Sequence, residues 1–279
     1  AISSLLRTHK INCHAALATP DSRLPYRLPT TDYRLTTMTV TEDRYIRQSL
    51  FEGIGPKGRR RISAARAVVV GCGAVGGVVA GCLARAGIGR LRIIDRDFVE
   101  TQNLHRQRLF DEDDADRRLP KAIAAARRLG AVNSMVEVEP IVRDFNPDNA
   151  VELLAGQSII LDGTDNFQTR FLLNDVALKL QTPWIYAGAV GSSVSVMPVL
   201  PGGGACMRCL MEEAPAPGSL PTCETAGVVN AAPGVAGCLE SSLALRILTG
   251  DTNFGGRLVT GDVWETQFRR VNVPRRADC

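Results

Sequence analysis

The sequence predicts an α/β fold with a doubly wound sheet, parallel in its N-terminal half and with antiparallel strands in its C-terminal half. An apolar β-branched run at residues 68–70 leads into the stretch Gly71-Cys72-Gly73-Ala74-Val75-Gly76 and then into a helix of small residues, Ala74–Ala86. Residues 90–94 form the next strand pattern, so this segment is a βαβ unit with parallel strands. Over residues 193–204, serines alternate with apolar residues and end in a proline and three glycines, which indicates antiparallel strands.

The other elements follow from periodicity and capping signals. Strands are predicted at 136–142, 158–162 and 184–189, a closing hairpin at 257–273, and helices after the cap Thr41 and at 121–129, 166–180 and 235–248. The polar stretch 97–107 follows the end of a strand, where open α/β sheets bind ligands. The proline-rich residues 212–222 predict a mobile loop.

Composition excludes several classes of protein. With 279 residues, 45% of them hydrophobic, the chain can bury a full core, and a net charge of +4 gives no footprint for nucleic acid. No stretch reaches the roughly 20 continuous apolar residues of a membrane span, because Glu240 and Arg246 interrupt the best candidate. We therefore expect a cytoplasmic protein. Eight cysteines at uneven spacing suit metal binding or catalysis better than a disulfide framework. Residues 1–40 are predicted to be a disordered leader, with Met38 as an alternative start.

The glycine stretch has the chemistry of a nucleotide-binding turn. Gly71 suits a tight strand-to-helix turn, Gly73 has no Cβ to keep a phosphate from the backbone, and Gly76 lets the helix pack closely. Asp95 follows the next strand at the spacing of a carboxylate that binds a ribose hydroxyl. The glycines alone also fit a plain connecting turn, but the full order of strand, glycines, helix, strand and carboxylate favours a Rossmann-like nucleotide site.

Several motifs occur together in a fixed order. They are Arg44-Tyr45-Ile46-Arg47-Gln48, the glycine turn, Asp95-Arg96-Asp97, Asn103-Leu104-His105-Arg106-Gln107, Lys121, Asp162-Gly163-Thr164-Asp165-Asn166 with Arg170, and Cys206-Met207-Arg208-Cys209. Together they resemble the ThiF/MoeB/HesA family, the bacterial relatives of ubiquitin-activating enzymes, from about Glu42 to the end of the chain.

The resemblance implies ATP-dependent adenylation of the C-terminal Gly-Gly carboxylate of a ubiquitin-like sulfur-carrier protein, in molybdopterin, thiamin or related sulfur transfer. Residues 41–279 would then be one adenylation domain, with an ATP-binding half at 41–190 and a carrier-binding and zinc half at 191–279. Sulfur would come from another protein, since the chain has no rhodanese domain.

The resemblance also assigns roles to single residues. Arg106 and Lys121 would surround the phosphates, Asp165 would bind Mg²⁺, Asp95 would hold the ribose, and Asn103 and Gln107 would shape the site. Arg47 would reach the ATP of the neighbouring subunit of a homodimer as an arginine finger.

Each role has a plainer alternative. Arg47 also fits a surface arginine, Asp165 a helix cap, and Lys121 a solvated helix residue. His105 is interpreted as a polar loop residue. For Asp97 a functional and a structural role are both left open.

The cysteines divide into groups. Cys206 and Cys209 have the spacing of two ligands to one tetrahedral metal, and the resemblance adds Cys279 as a zinc ligand, with a fourth ligand beyond this chain or an incomplete site. A redox Cys-x-x-Cys is the alternative, disfavoured because the preceding Pro-Gly-Gly-Gly does not predict a strand leading into a helix. Cys223 resembles a mobile-loop cysteine that in some members forms a covalent link to the carrier. Cys13, Cys72, Cys82 and Cys238 are interpreted as packing or incidental residues.

Three rival functions remain open at this point. An NAD-dependent oxidoreductase would use the same glycine turn but would need neither Mg²⁺ nor Arg47, Arg106 and Asp165. A scaffold of the same fold would bind a carrier without catalysis. A related enzyme that adenylates tRNA or a peptide would share the ATP site, although the Cys-x-x-Cys pair and Cys223 favour sulfur transfer.

Overall fold

The computed structural model describes residues 44–279 except residues 203, 217 and 221. The predicted leader and the predicted cap Thr41 lie outside the described residues. In chain order the elements are α1 (Ile46–Leu50), α2 (Gly55–Ala64), β1 (Arg66–Val70), α3 (Ala74–Ala86), β2 (Arg90–Ile94), α4 (Glu112–Asp116), α5 (Lys121–Val132), β3 (Glu137–Ile141), α6 (Ala150–Leu154), β4 (Ile159–Asp162), α7 (Phe167–Lys179), β5 (Trp184–Val190), β6 (Ser193–Val199), α8 (Met207–Leu210), α9 (Cys223–Ala226), α10 (Ala231–Thr249), β7 (Arg257–Asp262) and β8 (Gln267–Asn272).

The strands form one mixed sheet in the order β3-β2-β1-β4-β5-β6-β7-β8. The first five strands of this order are parallel, and β5 to β8 are antiparallel, which confirms the predicted fold class. Val70 of β1 lies beside Ile94 of β2 and Asp162 of β4, so the loops after these three strands leave the sheet at one edge. The order of the chain reverses at β1, which is where open α/β sheets bind their ligands.

Helices cover the sheet on both faces and create two apolar layers. One face packs against α3, α5 and α10, and the other against α6, α7 and α8. Strand β1 lies between the two layers, and its last four residues are buried, as a central parallel strand requires.

Helix α10 is a core helix. Among the described residues it is the one helix long and apolar enough to cross a membrane, and half of it is buried inside the protein. A Cβ on its Gly237 would lie 2.7 Å from the Cβ of Val78, so the glycine allows α10 to approach α3 closely. The helix begins four residues before the predicted start at 235, because Pro233 lies in the first turn, where its missing N–H is not needed.

Candidate active site

The glycine turn has the geometry that the sequence predicts. Gly71 has a φ of +85°, and a Cβ there would lie 2.6 Å from the carbonyl oxygen of Gly163. A Cβ on Gly76 or on Gly163 would overlap the carbonyl oxygen of Gly71. These three glycines therefore allow the turn to pack directly against the loop after β4. A Cβ on Gly73 would instead meet only the amide of Gln107, at 3.7 Å, so the backbone here stays accessible.

The N-terminus of α3 is therefore suited to an anion. Gly73 is the N-cap residue, and no side chain caps the first N–H groups of this 13-residue helix. Free N–H groups and the helix dipole together favour a phosphate at this position.

Asp95 fixes the turn from the neighbouring strand. Its Oδ2 accepts a hydrogen bond from the backbone N–H of Cys72 at 2.6 Å, and its Oδ1 accepts one from the N–H of Asp97 at 2.8 Å. Burial raises the pKa of this carboxyl, and the two N–H donors oppose that rise. The contact of Asp95 with a ribose hydroxyl stays a prediction.

Lys121 is buried at the start of α5 and is not a solvated helix residue. Its side chain is 8% exposed, and its Nζ lies 3.2 Å from the carboxylate of Asp97, which is itself more than half exposed. The backbone N–H of Lys121 also donates to the carbonyl of Asp97 at 2.8 Å. Asp97 therefore positions Lys121, whose side chain lies close enough to Cys72 and Asp95 to lower the pKa of both, and so lies beside the glycine turn.

The polar loop after β2 supplies amide groups. Gln107 is buried, and its Oε1 has no hydrogen-bond partner among the residues that the structure describes. Asn103 donates to Glu100 at 2.9 Å, and Arg106 is half-buried with one weak contact to a backbone carbonyl at 3.5 Å. His105 is exposed and contacts the carbonyl of Gln102, as expected for a loop residue. Gln107 and Arg106 thus keep hydrogen-bonding capacity for a ligand.

A buried ion pair holds the loop after β4. Asp162 is fully buried, and its Oδ2 accepts a hydrogen bond from Arg170 at 3.0 Å. Its Oδ1 accepts from the N–H and the hydroxyl of Thr164 at 2.9 and 2.6 Å, while Arg170 donates to the carbonyls of Thr164 and Ala187. The sequence motif contained Asp162 and Arg170 but gave them no role. They make the loop that carries Asp165 rigid.

Asp165 is not the cap of α7. The side chain of Asn166 caps this helix by accepting a hydrogen bond from the N–H of Thr169 at 2.8 Å. Asp165 is exposed, and within the described part of the chain its carboxylate has one weak hydrogen bond, from Asn166 at 3.4 Å. The capping alternative is therefore wrong, and a free carboxylate lies at the end of β4.

Cys223 lies in the same neighbourhood. It starts α9, and its thiol donates to the carbonyl of Ala189 at the end of β5, at 3.3 Å. Burial raises the pKa of this thiol, with a further rise from the charge of Asp165, whereas the charges of Arg106 and Arg170 lower it. Because the charges of Arg106 and Asp165 act on the Cys223 thiol, these three residues lie in one region of the protein. Cys223 is a thiol at neutral pH.

Arg47 is exposed on α1, and within residues 44–279, less the three undescribed positions, it has no hydrogen bond or ion pair. The structure thus does not join Arg47 to the site of its own chain. Exposed apolar side chains lie on the same helix and just after it, at Ile46, Leu50 and Phe51.

Three cysteines converge at the other end of the sheet. The sulfurs of Cys206, Cys209 and Cys279 all lie within 4.8 Å of one another, with Cys206 at 3.9 Å from Cys209 and 3.6 Å from Cys279. Tetrahedral zinc with Zn–S bonds of about 2.3 Å separates its sulfurs by about 3.8 Å, which fits this cluster. Cys206 is the N-cap residue of the short helix α8, so a helical turn does follow the glycines although the sequence did not predict it. The third thiol, Cys279, favours a metal over a redox pair of two cysteines.

The remaining cysteines differ in exposure. Cys72 is fully buried, and burial raises the pKa of its thiol far above the usual range, which fits a packing role. Cys82 is half-buried and Cys238 is exposed, so of the two interpretations, packing or incidental, Cys238 fits the incidental one. Cys13 lies outside the described residues.

Glu240 of α10 is a buried carboxyl that the sequence gave no role. It is fully buried, its Oε1 accepts a hydrogen bond from the N–H of Asp162 at 2.8 Å, and its Oε2 has no partner among the described residues. Burial, reinforced by the charge of Asp162, raises the pKa of Glu240 well above its ordinary value of 4.5. Burial therefore favours the protonated form of Glu240 in the folded protein.

Replacing Glu240 with glutamine should stabilise the protein increasingly as pH rises. Below the ordinary pKa, Glu240 is protonated in the folded and the unfolded chain alike. Above it only the unfolded chain ionises, which lowers the free energy of unfolding by about 1.4 kcal/mol per pH unit up to the folded-state pKa. Glutamine keeps the acceptor and cannot ionise. Denaturant unfolding between about pH 5 and 8 measures the free energy of unfolding of the variant and of the unaltered protein. The difference between the two should grow with pH, and a constant difference would contradict this assignment.

Comparison with known proteins agrees with this geometry. The model of the ThiF family matches residues 45–279. The sulfur carrier protein ThiS adenylyltransferase of Bacillus subtilis is 44% identical over 230 residues, which cover 82% of this chain and 68% of the relative. A sulfur carrier protein adenylyltransferase of Thermus thermophilus is 39% identical over 85% of this chain and 89% of its own length.

The similarity extends to solved structures. The crystal structure of E. coli MccB with MccA-N7isoASN has a TM-score of 0.75 and 23% identity, over 85% of this chain and 74% of MccB, which shows a shared fold. The motifs, the geometry and the family match over residues 45–279 lead to one conclusion: this chain belongs to the ThiF family.

Proposed function

We propose that this protein uses ATP to adenylate the C-terminal Gly-Gly carboxylate of a ubiquitin-like sulfur-carrier protein. The observation that carries the proposal is the free carboxylate of Asp165, which lies in one region with Arg106, while Lys121 is buried beside the glycine turn. A phosphate-binding turn with two cations and a free carboxylate suits a polyphosphate with Mg²⁺. An oxidoreductase that binds NAD needs no such carboxylate, and the adenylyltransferase relatives also favour activation.

The reaction requires charge compensation at the α-phosphate. A carboxylate oxygen of the carrier forms a new bond to the α-phosphorus, and the bond from that phosphorus to the oxygen bridging to the β-phosphate breaks, which releases pyrophosphate. The N-terminus of α3 would hold phosphate oxygens, and Arg106 and Lys121 would offset their growing charge. Asp95, Asn103 and Gln107 would bind and orient the nucleoside part.

Asp165 would hold a Mg²⁺ ion, which when bound offsets phosphate charge. Carboxylate oxygen is the ligand that Mg²⁺ prefers, and the Asp162–Arg170 pair fixes the loop that presents it. The buried, unpartnered Oε1 of Gln107 and the accessible backbone at Gly73 fit a polar ligand in the same region.

The working unit would be a homodimer in which Arg47 reaches the ATP of the neighbouring subunit. Arg47 has no partner in the described part of its own chain, and the apolar residues Ile46, Leu50 and Phe51 are 40, 76 and 65% exposed around it. Exposed apolar side chains that surround an arginine are typical of an interface.

Cys223 would act after adenylation. Its thiolate would attack the acyl carbon of the adenylate, form a thioester and release AMP, while the thiol proton goes to a base. Burial raises the pKa of the Cys223 thiol and the charge of Arg106 lowers it, so Arg106 would favour the thiolate that this step uses. Sulfur would be supplied by another protein, in the cytoplasm, where ATP and reduced thiols are available.

The cluster of Cys206, Cys209 and Cys279 would bind a structural Zn²⁺. The N–H of Arg276 donates to the sulfur of Cys209 at 3.4 Å, which suits a thiolate ligand. Metal analysis should find about one zinc per chain in the protein and much less in a Cys206→Ser variant; equal zinc contents would reject the site.

Carrier-dependent ATP–pyrophosphate exchange tests the proposed reaction. The ThiS protein of Bacillus subtilis is a suitable carrier because the adenylyltransferase named for it is 44% identical to this chain. Exchange should require ThiS and Mg²⁺ and should disappear with a ThiS that lacks its last two residues. NAD binding without exchange would favour the oxidoreductase, carrier binding without exchange a scaffold, and exchange with a peptide or tRNA alone the related adenylating enzymes.

A further inference from the structure

Helix α1, which carries Arg47, has little to hold it in place. It has five residues, none of them buried, and no side chain of the residues that the structure describes caps its N-terminus. An isolated helix of this length is unstable in water, so contacts next to it must set its position. Within the helix, Gln48 donates to the carbonyl of Ala86 at 3.2 Å. The two residues before Ile46 make further contacts.

Asn133 binds both of those residues. It is 1% exposed, and its Nδ2 donates to the hydroxyl of Tyr45 and to the carbonyl of Ala84, both at 2.7 Å. Its Oδ1 accepts hydrogen bonds from Arg44 at 2.6 Å and from the N–H of Met135 at 3.3 Å. A side-chain amide has two donor hydrogens and two acceptor lone pairs, so Asn133 uses its full capacity here.

Tyr45 is held from three directions. Its ring is 4% exposed, the guanidinium of Arg59 lies 3.9 Å from the ring centre, and its hydroxyl binds Asn133. A Cβ on Gly87 would overlap the ring, so the ring lies directly on the C-cap of α3. Two residues further along the chain, Arg47 extends into solvent from this fixed base.

One helix thus connects two functions. Asn133 is the C-cap residue of α5, and Lys121 is the first residue of the same helix. Lys121 would act on the ATP of its own subunit, whereas Asn133 fixes the segment that carries Arg47. We propose that Asn133 and Tyr45 are positioning residues that hold Arg47 in the orientation needed to reach the ATP of the neighbouring subunit. This inference rests on the proposed dimeric adenylation.

Heterodimers with a single complete site test the proposal. One subunit, the acceptor, carries Arg47→Ala and keeps its ATP site, and the other, the donor, carries Asp165→Asn and keeps Arg47. Different affinity tags on the two subunits allow the heterodimer to be purified, and exchange is measured with ATP and ThiS of Bacillus subtilis. Asn133→Ala is then added to the donor or to the acceptor.

Asn133→Ala in the donor should lower exchange about tenfold, whereas in the acceptor it should change exchange less than about twofold. A role in folding alone would give equal losses in both placements, and equal losses would overturn the proposal. Exchange that is unaffected in both placements would overturn it as well. An inactive starting heterodimer would instead refute the transfer of Arg47 between subunits, and with it this inference.

Tyr45→Phe provides a second variant if Asn133→Ala folds poorly. Phenylalanine keeps the ring against Gly87 and Arg59 and removes only the hydroxyl that accepts from Asn133. It should show the same dependence on placement with a smaller loss, about threefold in the donor. The absence of any difference between placements would count against the proposal.

Discussion

Asp165→Asn should lower carrier-dependent ATP–pyrophosphate exchange by about 100-fold or more. The variant keeps the size of the side chain and removes its charge, so the proposed Mg²⁺ ion would lose its anionic ligand as phosphate charge develops. The fold should persist, because Asn166 caps α7 and the Asp162–Arg170 pair holds the loop. Steady-state exchange against ATP and Mg²⁺ concentration, with thermal unfolding as a check on folding, measures the effect.

Glu137→Gln is a matched control for the loss of one exposed carboxylate. Glu137 begins β3, at the edge of the parallel strands opposite to the glycine turn, and its side chain is 65% exposed. Exchange by this variant should stay within about twofold of the unaltered protein. An Asp165→Asn variant that matches the control would show that Asp165 binds no metal needed for the reaction.

The nucleotide turn was predictable because its determinants are local. Helix α3 has the predicted bounds, since Gly73 and Gly87 mark its ends and the φ of +73° at Gly87 is a conformation that glycine adopts easily. The short helices α2 and α8 were not predicted. Helix α2 has ten mostly polar residues, of which Gly58 and Ile62 are buried, and α8 has only four residues, so their positions depend on packing against the body of the protein.

The helix cap beside Asp165 and the long-range contacts of the candidate site could not be predicted from the sequence. Asp165 and Asn166 can both cap a helix, and their order alone does not show which one does so. The burial of Lys121 and its pairing with Asp97 join residues 24 positions apart, and the bond from Asp162 to Glu240 spans 78 positions. Such contacts depend on how helices pack on the sheet, and local patterns of residues do not reveal that packing.

Arg47→Ala alone should lower exchange strongly, by about 100-fold, because an arginine that binds developing phosphate charge acts on the reaction itself. Mixing this variant with Asp165→Asn under conditions that allow subunit exchange should restore activity, since each heterodimer regains one site with both residues. Half of the dimers in an equal mixture are heterodimers, and half of their sites are complete, so recovery should reach about a quarter of the original activity.

A double variant that carries Arg47→Ala and Asp165→Asn in one subunit is the control for this recovery. This double variant is paired with an unaltered subunit. The ATP site of the unaltered subunit is intact, but its partner has no Arg47. The ATP site of the double variant receives Arg47 from its partner but lacks Asp165. No complete site remains, so this heterodimer should be inactive. If it keeps half of the original activity, Arg47 acts within its own subunit, and the exposed apolar residues around it on α1 must have another role.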